Sequence, residues 1–383
     1  MKNLKKQVTK TILKGEEKLD LLTFQLKNKL KLNRPLQIVT YRSYGTPNRL
    51  YVKGRVLVDK GIRHSEENDT TWENLLNMYR RFETDEVPNA RVQLCLQDEL
   101  YEITTDAEGY FVMNLEPKQA LQLDDIWHDI EVNLVEAPMQ LEEGITETAH
   151  VLVPPPDAEY GIISDIDDTI VRTGATNLLE MGRTVLLNNA HSRIPFHGVS
   201  QFYRSLQLGR NGKRNNPFFY VSSSPWNNYD LLYHFLELNE IPQGPLLLRD
   251  FGIDEKKFLK SDHMSHKYKE IENLLITYPS LNFILVGDSG QQDAAIYREV
   301  VKNHPGRIIA IYIRDVNIAE RTKAVQTISD ELKQEGEVEM VLVKNTAAAA
   351  AHAADCGYIF TEEVEEVEKE ARLDEEGDAE GLI

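Results

Sequence analysis

Three aspartates, Asp165, Asp167 and Asp168, lie within four positions directly after the apolar run Tyr160–Ser164. Carboxylates this close repel one another, and the repulsion destabilises the fold unless a cation lies among them. Hard oxygen ligands of this kind favour Mg²⁺ over Zn²⁺. A lone Asp-x-Asp pair is most often an ordinary turn, so the prediction of a magnesium site needs support from other residues.

That support comes from polar side chains that follow other apolar runs. Ser222 closes one run, Asp288 and Asp293 follow another, and Lys267 lies between the two runs in the sequence. Each has an ordinary alternative as a cap, a turn or a solvated lysine. In an open parallel sheet, however, ligands bind at the carboxyl ends of the strands. The common position of these residues therefore favours a single site.

A helix is predicted to begin beside this site, with Ser224 as its N-cap and Pro225 as its first helical residue. The free N–H groups at a helix N-terminus bind anions. The site is therefore expected to accept an anionic group next to its cation.

The elements that position these residues follow Pro154-Pro155-Pro156, which is typical of a domain edge. Beyond it, short apolar strands alternate with helices, as in a parallel sheet covered on both faces. We predict a Rossmann-like α/β domain over residues 154–360. Its expected strands are Tyr160–Ser164, Phe218–Ser222, Leu246–Leu248, Phe283–Val286 and Ile308–Ile313, with a helix at Ser200–Leu208.

Residues 35–153 have a different pattern, with many short strands at close spacing, which predicts an N-terminal β-sandwich domain. No catalytic constellation is present there, so we expect a structural role or the binding of a protein or lipid. The expected strands are Leu36–Tyr41, Leu50–Val58, Ala90–Gln97, Leu100–Thr105, Tyr110–Asn114 and Trp127–Leu134, with a helix at Thr71–Phe82.

Charge is unevenly distributed along the chain, whose net charge is −19. Residues 1–34 hold ten Lys or Arg against three Asp or Glu, with leucines at helical spacing. Such a basic amphipathic helix either lies on an anionic membrane or packs on protein. Residues 361–383 hold eleven acidic and two basic residues, which predicts a disordered tail.

Composition excludes several classes of protein. Nucleic-acid binding is not expected of so acidic a chain. Two cysteines, Cys95 and Cys356, cannot form a disulfide framework and favour a reducing compartment. No apolar run is long enough to span a bilayer. We therefore expect a cytoplasmic protein that associates at most peripherally with the membrane.

The sequence resembles the haloacid-dehalogenase-type phosphatase superfamily. The motifs are Asp165-x-Asp167-x-Thr169 after a strand, Ser222 at the end of a second strand, Lys267, and Asp288 with Asp293. It is similar, more narrowly, to the actin-patch-associated phosphatidate phosphatase family. Segments that carry this similarity are 153–157, 164–171, 173–176, 220–226 and 248–251, together with 80–88 in the β domain.

The resemblance implies Mg²⁺-dependent removal of phosphate from phosphatidate. It implies that Asp165 attacks phosphorus, that Asp167 acts as acid and then base, and that Ser222 and Lys267 bind the phosphoryl group. Its implied metal set is Asp165, Asp288 and the backbone carbonyl of Asp167, with Asp293 orienting the metal shell. Thr169 would stabilise the motif loop at the phosphate-binding side. Arg172, Arg193 and Arg249 are candidates for contacts with the substrate phosphate.

Members of this superfamily usually carry a cap domain, but residues 172–197, in which we expect one apolar helix at 178–187, are too few for a large one. The minimal cap predicts an open site that suits a phosphate on a bulky lipid or protein. A phosphoprotein or a soluble phosphomonoester is the alternative substrate. A non-catalytic scaffold that retains the fold is the alternative from another class, although four repelling carboxylates argue against it.

Overall fold

The computed structural model describes residues 35–59, 85–123, 125–139, 144–170, 195–249, 261–316, 318–336 and 338–380. Four predictions lie outside these residues. They are the basic helix within 1–34, the helix at Thr71–Phe82, an apolar helix expected at 178–187, and the positions of Arg172 and Arg193.

The N-terminal part of the chain forms one eight-stranded sheet, ordered β1-β3-β2-β8-β7-β4-β5 with β6 beside β3. We call it the antiparallel sheet, since only the β2–β8 pairing is parallel. All six predicted strands are present, and β2 and β8 were not predicted. Whether this sheet folds as a β-sandwich stays a prediction. Its strands are β1 (Leu36–Thr40), β2 (Ser43–Thr46), β3 (Arg49–Val58), β4 (Arg91–Leu96), β5 (Glu99–Thr104), β6 (Tyr110–Leu115), β7 (Trp127–Glu136) and β8 (Thr146–Leu152).

The C-terminal part contains a second, six-stranded sheet in which every pairing is parallel. Its order is β11-β10-β9-β12-β13-β14, so β9 lies between β10 and β12. The five predicted strands are present, and β14 was missed. The six strands of this sheet are β9 (Gly161–Ser164), β10 (Phe218–Pro225), β11 (Leu246–Arg249), β12 (Phe283–Asp288), β13 (Ile308–Arg314) and β14 (Met340–Val343).

Helices cover both faces of this parallel sheet, because successive residues of each buried strand point to opposite sides. Ile162 joins the core beneath α1, α2, α6 and α7, whereas Ile163 joins the core beneath α3, α4 and α5. The helices are α1 (Val199–Leu208), α2 (Tyr229–Leu238), α3 (Ser261–Thr277), α4 (Asp293–Asn303), α5 (Ala319–Glu335), α6 (Thr346–Asp355) and α7 (Glu362–Glu380). None of the described helices is long and apolar enough to cross a bilayer.

The predicted helix start at Ser224 and Pro225 is wrong. Strand β10 continues through Pro225, a 3₁₀ turn spans Trp226–Asn228, and α2 begins at Tyr229. The Ser224 hydroxyl donates to Asp167 instead of capping a helix, and Pro225 keeps an extended backbone with ψ at 155°. No helix N-terminus therefore begins at Ser224.

The predicted disorder of residues 361–383 is also wrong for its described part, which forms α7. Val367 of α7 is fully buried against the core. The carboxylates of Glu370 and Asp374 accept the backbone N–H groups of Gln201 and Gly198 at 2.7 and 2.8 Å. Acidic composition predicted solvation, but these carboxylates bind the N-terminal turn of α1, where the helix dipole favours negative charge.

Candidate active site

The loop that follows β9 presents the first two acidic residues. The Asp165 amide donates to the Val286 carbonyl at 2.9 Å, which extends the pairing of β9 with β12 by one residue. Asp168 then adopts a left-handed backbone with φ at 56°, a conformation that aspartate tolerates better than most residues. The loop leaves both Asp165 and Asp167 buried at the carboxyl end of the central strand.

Three carboxylates meet at this point. Asp165, Asp288 and Asp293 each present an oxygen, and the three oxygens lie within 4.8 Å of one another. Asp288 is the last residue of β12 and Asp293 the first of α4, and the short turn between them brings both side chains to the end of β9. Gly287 is required here, because a Cβ at that position would lie 2.6 Å from Asp293 Oδ2.

Lys267 of α3 reaches into the same cluster. Its Nζ lies 2.6 Å from Asp293 Oδ1 and 3.1 Å from Asp165 Oδ1, and the side chain is only 3% exposed. Burial lowers the pKa of Lys267, but the charges of Asp165 and Asp293 raise it more, so its net pKa lies above the ordinary value. The lysine is therefore held in its charged form.

One ammonium does not neutralise three buried carboxylates. Burial raises the pKa of Asp165, the charge of Lys267 lowers it, and the charge of Asp293 raises it again. The net pKa of Asp165 lies well above its usual range. Burial and the charge of Asp293 raise the pKa of Asp288 to about 8. Both shifts describe a site with excess negative charge, which an added cation would relieve.

The carboxylate oxygens of the cluster differ in whether they already accept hydrogen bonds. Both Asp293 oxygens accept hydrogen bonds, Oδ1 from Lys267 and Oδ2 from the Asp288 amide. Asp288 Oδ2 is buried and accepts no hydrogen bond from the described residues. A hard cation therefore fits Asp288 and Asp165 better than Asp293, whose oxygens fix Lys267 and the turn after β12.

Gln291 was not predicted, although it lies in the loop between Asp288 and Asp293. Its Nε2 donates to Asp165 Oδ2 at 3.2 Å and to the Asp167 carbonyl at 3.3 Å. Its Oε1 accepts from Lys267 at 3.2 Å. The partly positive amide group thus binds two of the oxygens that the resemblance assigns to Mg²⁺, which supports a cation-binding character for those oxygens.

The Asp167 side chain is bound by serine hydroxyls. Its Oδ2 accepts the hydroxyls of Ser222 at 3.2 Å and Ser224 at 3.0 Å. The Ser222 hydroxyl in turn accepts the Ser224 amide at 3.0 Å. Ser222 therefore lies beside the acidic loop as predicted, although β10 continues three residues beyond it to Pro225, and Ser224 is an additional member of the site. These two serines fix the orientation of the Asp167 carboxylate.

Thr169 and Arg249 lie at the edges of this arrangement. The Thr169 carbonyl accepts Arg314 Nε at 3.2 Å, which ties the acidic loop to β13. The Thr169 side chain is buried and lines a small cavity beneath the loop with Tyr203 and Tyr312. Arg249 ends the outer strand β11 in register with Pro225.

Taken together, these contacts join six of the predicted site residues in one cluster, namely Asp165, Asp167, Ser222, Lys267, Asp288 and Asp293.

Similarity to solved structures is weak. A carbohydrate acetylesterase from Xanthomonas citri shares 10% identity at a TM-score of 0.28, over 85% of this chain and 75% of that one. A family two carbohydrate esterase from Cellvibrio japonicus shares 10% identity at a TM-score of 0.17, over 79% and 96%. Scores this low carry no conclusion about fold or activity.

Two fungal proteins match part of the chain in sequence. Phosphatidate phosphatase APP1 of Saccharomyces cerevisiae is 36% identical over 155 residues, 40% of this chain and 25% of that protein. An uncharacterised protein of Schizosaccharomyces pombe is 27% identical over 231 residues, 56% of this chain and 34% of that protein. The chain thus spans about a quarter and a third of these relatives. Residues 160–315 match the family described as "Phosphatidate phosphatase APP1, catalytic domain", and the sequence identity to the yeast protein supports this match.

Proposed function

We propose that the chain is a Mg²⁺-dependent phosphatase that hydrolyses phosphatidate to diacylglycerol and phosphate. The observation that carries the proposal is the meeting of buried Asp165, Asp288 and Asp293 with buried Lys267 at the carboxyl end of a parallel sheet. Residues 160–315, which hold this cluster, match a catalytic-domain family. The substrate is suggested by the name of the yeast relative.

The metal would be held by Asp165, Asp288 and the Asp167 carbonyl. Asp288 Oδ2 accepts no hydrogen bond from the described residues, and the oxygens of Asp165 and Asp167 that bind Gln291 would become available when the amide moves away. Bound Mg²⁺ would offset the charge of the carboxylates and of the phosphate that approaches them. Asp293 would remain the partner of Lys267.

Asp165 would act as the nucleophile. Its carboxylate oxygen forms a bond to phosphorus while the bond from phosphorus to the glycerol oxygen breaks, which gives an aspartyl-phosphate. Lys267 Nζ, 3.1 Å from Asp165 Oδ1, is placed to contact a phosphoryl oxygen at that point. Positioning and charge compensation of this kind supply most of the catalysis in phosphoryl transfer.

Asp167 would move the protons. In its protonated form it donates to the leaving glycerol oxygen, and it then accepts a proton from the water that attacks phosphorus and displaces Asp165. The hydroxyls of Ser222 and Ser224 hold its Oδ2 in place. Asp167 therefore differs in surroundings from Asp165, which lies next to Lys267, and this difference supports separate roles for the two aspartates.

The remaining parts of the chain have proposed roles as well. We propose that residues 35–153 form an accessory domain that binds protein or lipid, that 154–360 form the phosphatase domain, and that residues 1–34 bind an anionic membrane surface. The protein would then be cytoplasmic and peripheral at the membrane. Binding of anionic vesicles by the full chain, and its loss as the salt concentration rises, tests the membrane part.

A panel assay tests the proposed function. Mg²⁺-dependent phosphate release is measured with phosphatidate in mixed micelles, a phosphopeptide and p-nitrophenyl phosphate. We expect the fastest release from phosphatidate, loss of all release in Asp165→Asn, and unchanged release in the exposed control Asp330→Asn. Faster release from the phosphopeptide or the soluble ester would select the alternative substrate. Absence of release from every compound would favour the non-catalytic scaffold.

A further inference from the structure

Three aromatic rings form a row where β10 leads into α2. Trp226 and Tyr229 stack with an interplanar angle of 19° and centroids 6.1 Å apart, and Tyr229 and Tyr233 stack at 8° and 6.0 Å. Their spacing of three and four residues places them on one side of the chain, as on the face of a helix. The row begins two residues after Ser224, which binds the Asp167 carboxylate.

The two residues that connect β1 to β2 in the antiparallel sheet cover this row. The Tyr41 ring centroid lies 4.7 Å from that of Trp226 and 4.6 Å from that of Tyr229. The Arg42 amide donates to the Tyr229 hydroxyl at 2.8 Å, and Arg42 Nη2 donates to the Tyr233 hydroxyl at 2.6 Å. Each ring of the row is therefore contacted by a residue that lies outside the parallel sheet.

Lys53 of β3 contacts Trp226, the ring of the row that lies nearest to Ser224 in the sequence. Its Nζ lies 3.7 Å from the centroid of the Trp226 ring, within the range of a cation–π interaction. Lys53 also acts on α3, the helix that carries Lys267. Burial raises the pKa of Glu270, one turn after Lys267, and the charge of Lys53 lowers it. Lys53 thus lies beside two of the elements that supply active-site residues.

Trp226 is connected to Asp167 through Pro225 and the hydrogen bond of Ser224, and this connection has little conformational freedom. Ser222 and Ser224 are both hydrogen-bonded to Asp167 Oδ2, and the intervening Pro225 restricts the backbone through its ring. Movement of Trp226 would be transmitted across Pro225 to Ser224, because few rotatable bonds separate them. Contacts that hold Trp226, among them those of Lys53 and Tyr41, would therefore also affect the position of the Ser224 hydroxyl.

We propose that Lys53 is a positioning residue for the reaction: by holding Trp226 it keeps Ser224 against Asp167, so that the antiparallel sheet completes the active site of the parallel sheet. This inference rests on the proposed function, since Asp167 is there the acid and base. It assigns to residues 35–153 a part in catalysis that neither the sequence nor the family match attributes to them, because the match begins at residue 160.

The test compares Lys53→Met, Lys53→Arg, Trp226→Leu and the double variant Lys53→Met with Trp226→Leu. Lys118→Met is the control, because Lys118 follows β6 and its side chain is 81% exposed. The readouts are kcat and KM for phosphatidate in mixed micelles. Since misplacement of a catalytic group costs much of the rate, we expect Lys53→Met to lower kcat by about tenfold, with KM changed less than twofold.

The arginine variant separates positioning from simple structural damage. A guanidinium also binds aromatic faces, so Lys53→Arg should keep at least about half of the wild-type kcat. The double variant should be no slower than Trp226→Leu alone, because Lys53 acts through Trp226. The control should match the wild type in both parameters.

Three results would overturn the inference while leaving the proposed function intact. They are a wild-type kcat in Lys53→Met, an equal loss of kcat in the methionine and arginine variants, and a rise in KM at constant kcat. The last would mean that Lys53 contacts the lipid itself. A wild-type protein that releases no phosphate would instead overturn the proposed function, and with it the inference.

Discussion

Replacement of Lys267 by Met removes the one ammonium group found among the described residues of the carboxylate cluster. Its Nζ lies 2.6 Å from Asp293 and 3.1 Å from Asp165, and the side chains of all three residues are at most 3% exposed. Loss of one partner from a buried ion pair costs about 3–5 kcal/mol, because the remaining charge is buried without compensation. We expect the free energy of unfolding without Mg²⁺ to fall by about that amount.

The measurement is thermal or urea unfolding of the full chain, with and without Mg²⁺. Lys269→Met is the matched control, since Lys269 is exposed on the same helix two residues away. Mg²⁺ should stabilise Lys267→Met more than the wild type, and the deficit without Mg²⁺ should shrink at low pH, where the carboxylates bind protons. Equal stability of Lys267→Met and Lys269→Met without Mg²⁺ would refute the account of the cluster as an unbalanced set of buried charges.

Three other predictions concern the same site and the C-terminal helix. Gln291→Ala removes the amide that competes for Asp165 and should tighten Mg²⁺ binding by about tenfold in calorimetry; weaker binding would make Gln291 a ligand instead. Because Asp288 has a raised pKa of about 8 and an unfolded aspartate titrates near ~4, the protein without metal should lose stability as pH rises from about 4 to about 8. Mg²⁺ competes with that proton and should bind more tightly at pH 8 than at pH 6, whereas a pH-independent affinity would contradict the assignment. Glu370→Ala removes the partner of Arg204 at 2.5 Å and should lower the free energy of unfolding by about 1–3 kcal/mol with unchanged phosphate release; unchanged unfolding would contradict the docking of α7.

The sequence predicted five of the six strands of the parallel sheet and the meeting of six site residues. These predictions rested on apolar runs long enough to be buried and on polar residues at the ends of those runs, which a parallel sheet brings to one edge. Strand β14 (Met340–Val343), at one edge of the sheet, was missed. Strands β2 and β8 were missed because their polar residues obscure the alternation of apolar and polar positions by which a strand is predicted.

Tertiary contacts account for the other errors. The Ser-Pro pair at 224 and 225 has the composition of a helix start, but the Ser224 hydroxyl binds Asp167, 57 residues away in the sequence. The acidic composition of α7 indicated disorder, but its carboxylates bind the N-terminal turn of α1. Gln291 lies between two predicted site residues, Asp288 and Asp293, but the groups that it binds, on Asp165, Asp167 and Lys267, are distant in the sequence. None of these partners is adjacent in sequence, so local patterns could not reveal them.

The covalent step at Asp165 is the central claim and can be measured directly. Wild-type protein is mixed with phosphatidate carrying ³²P in its phosphate and Mg²⁺, quenched in acid within the first turnover, and digested for identification of the labelled peptide. The account predicts label on the peptide that contains Asp165, with no label in Asp165→Asn. Rapid phosphate release by the wild type without label at Asp165, or label on the Asp165→Asn protein, would contradict it.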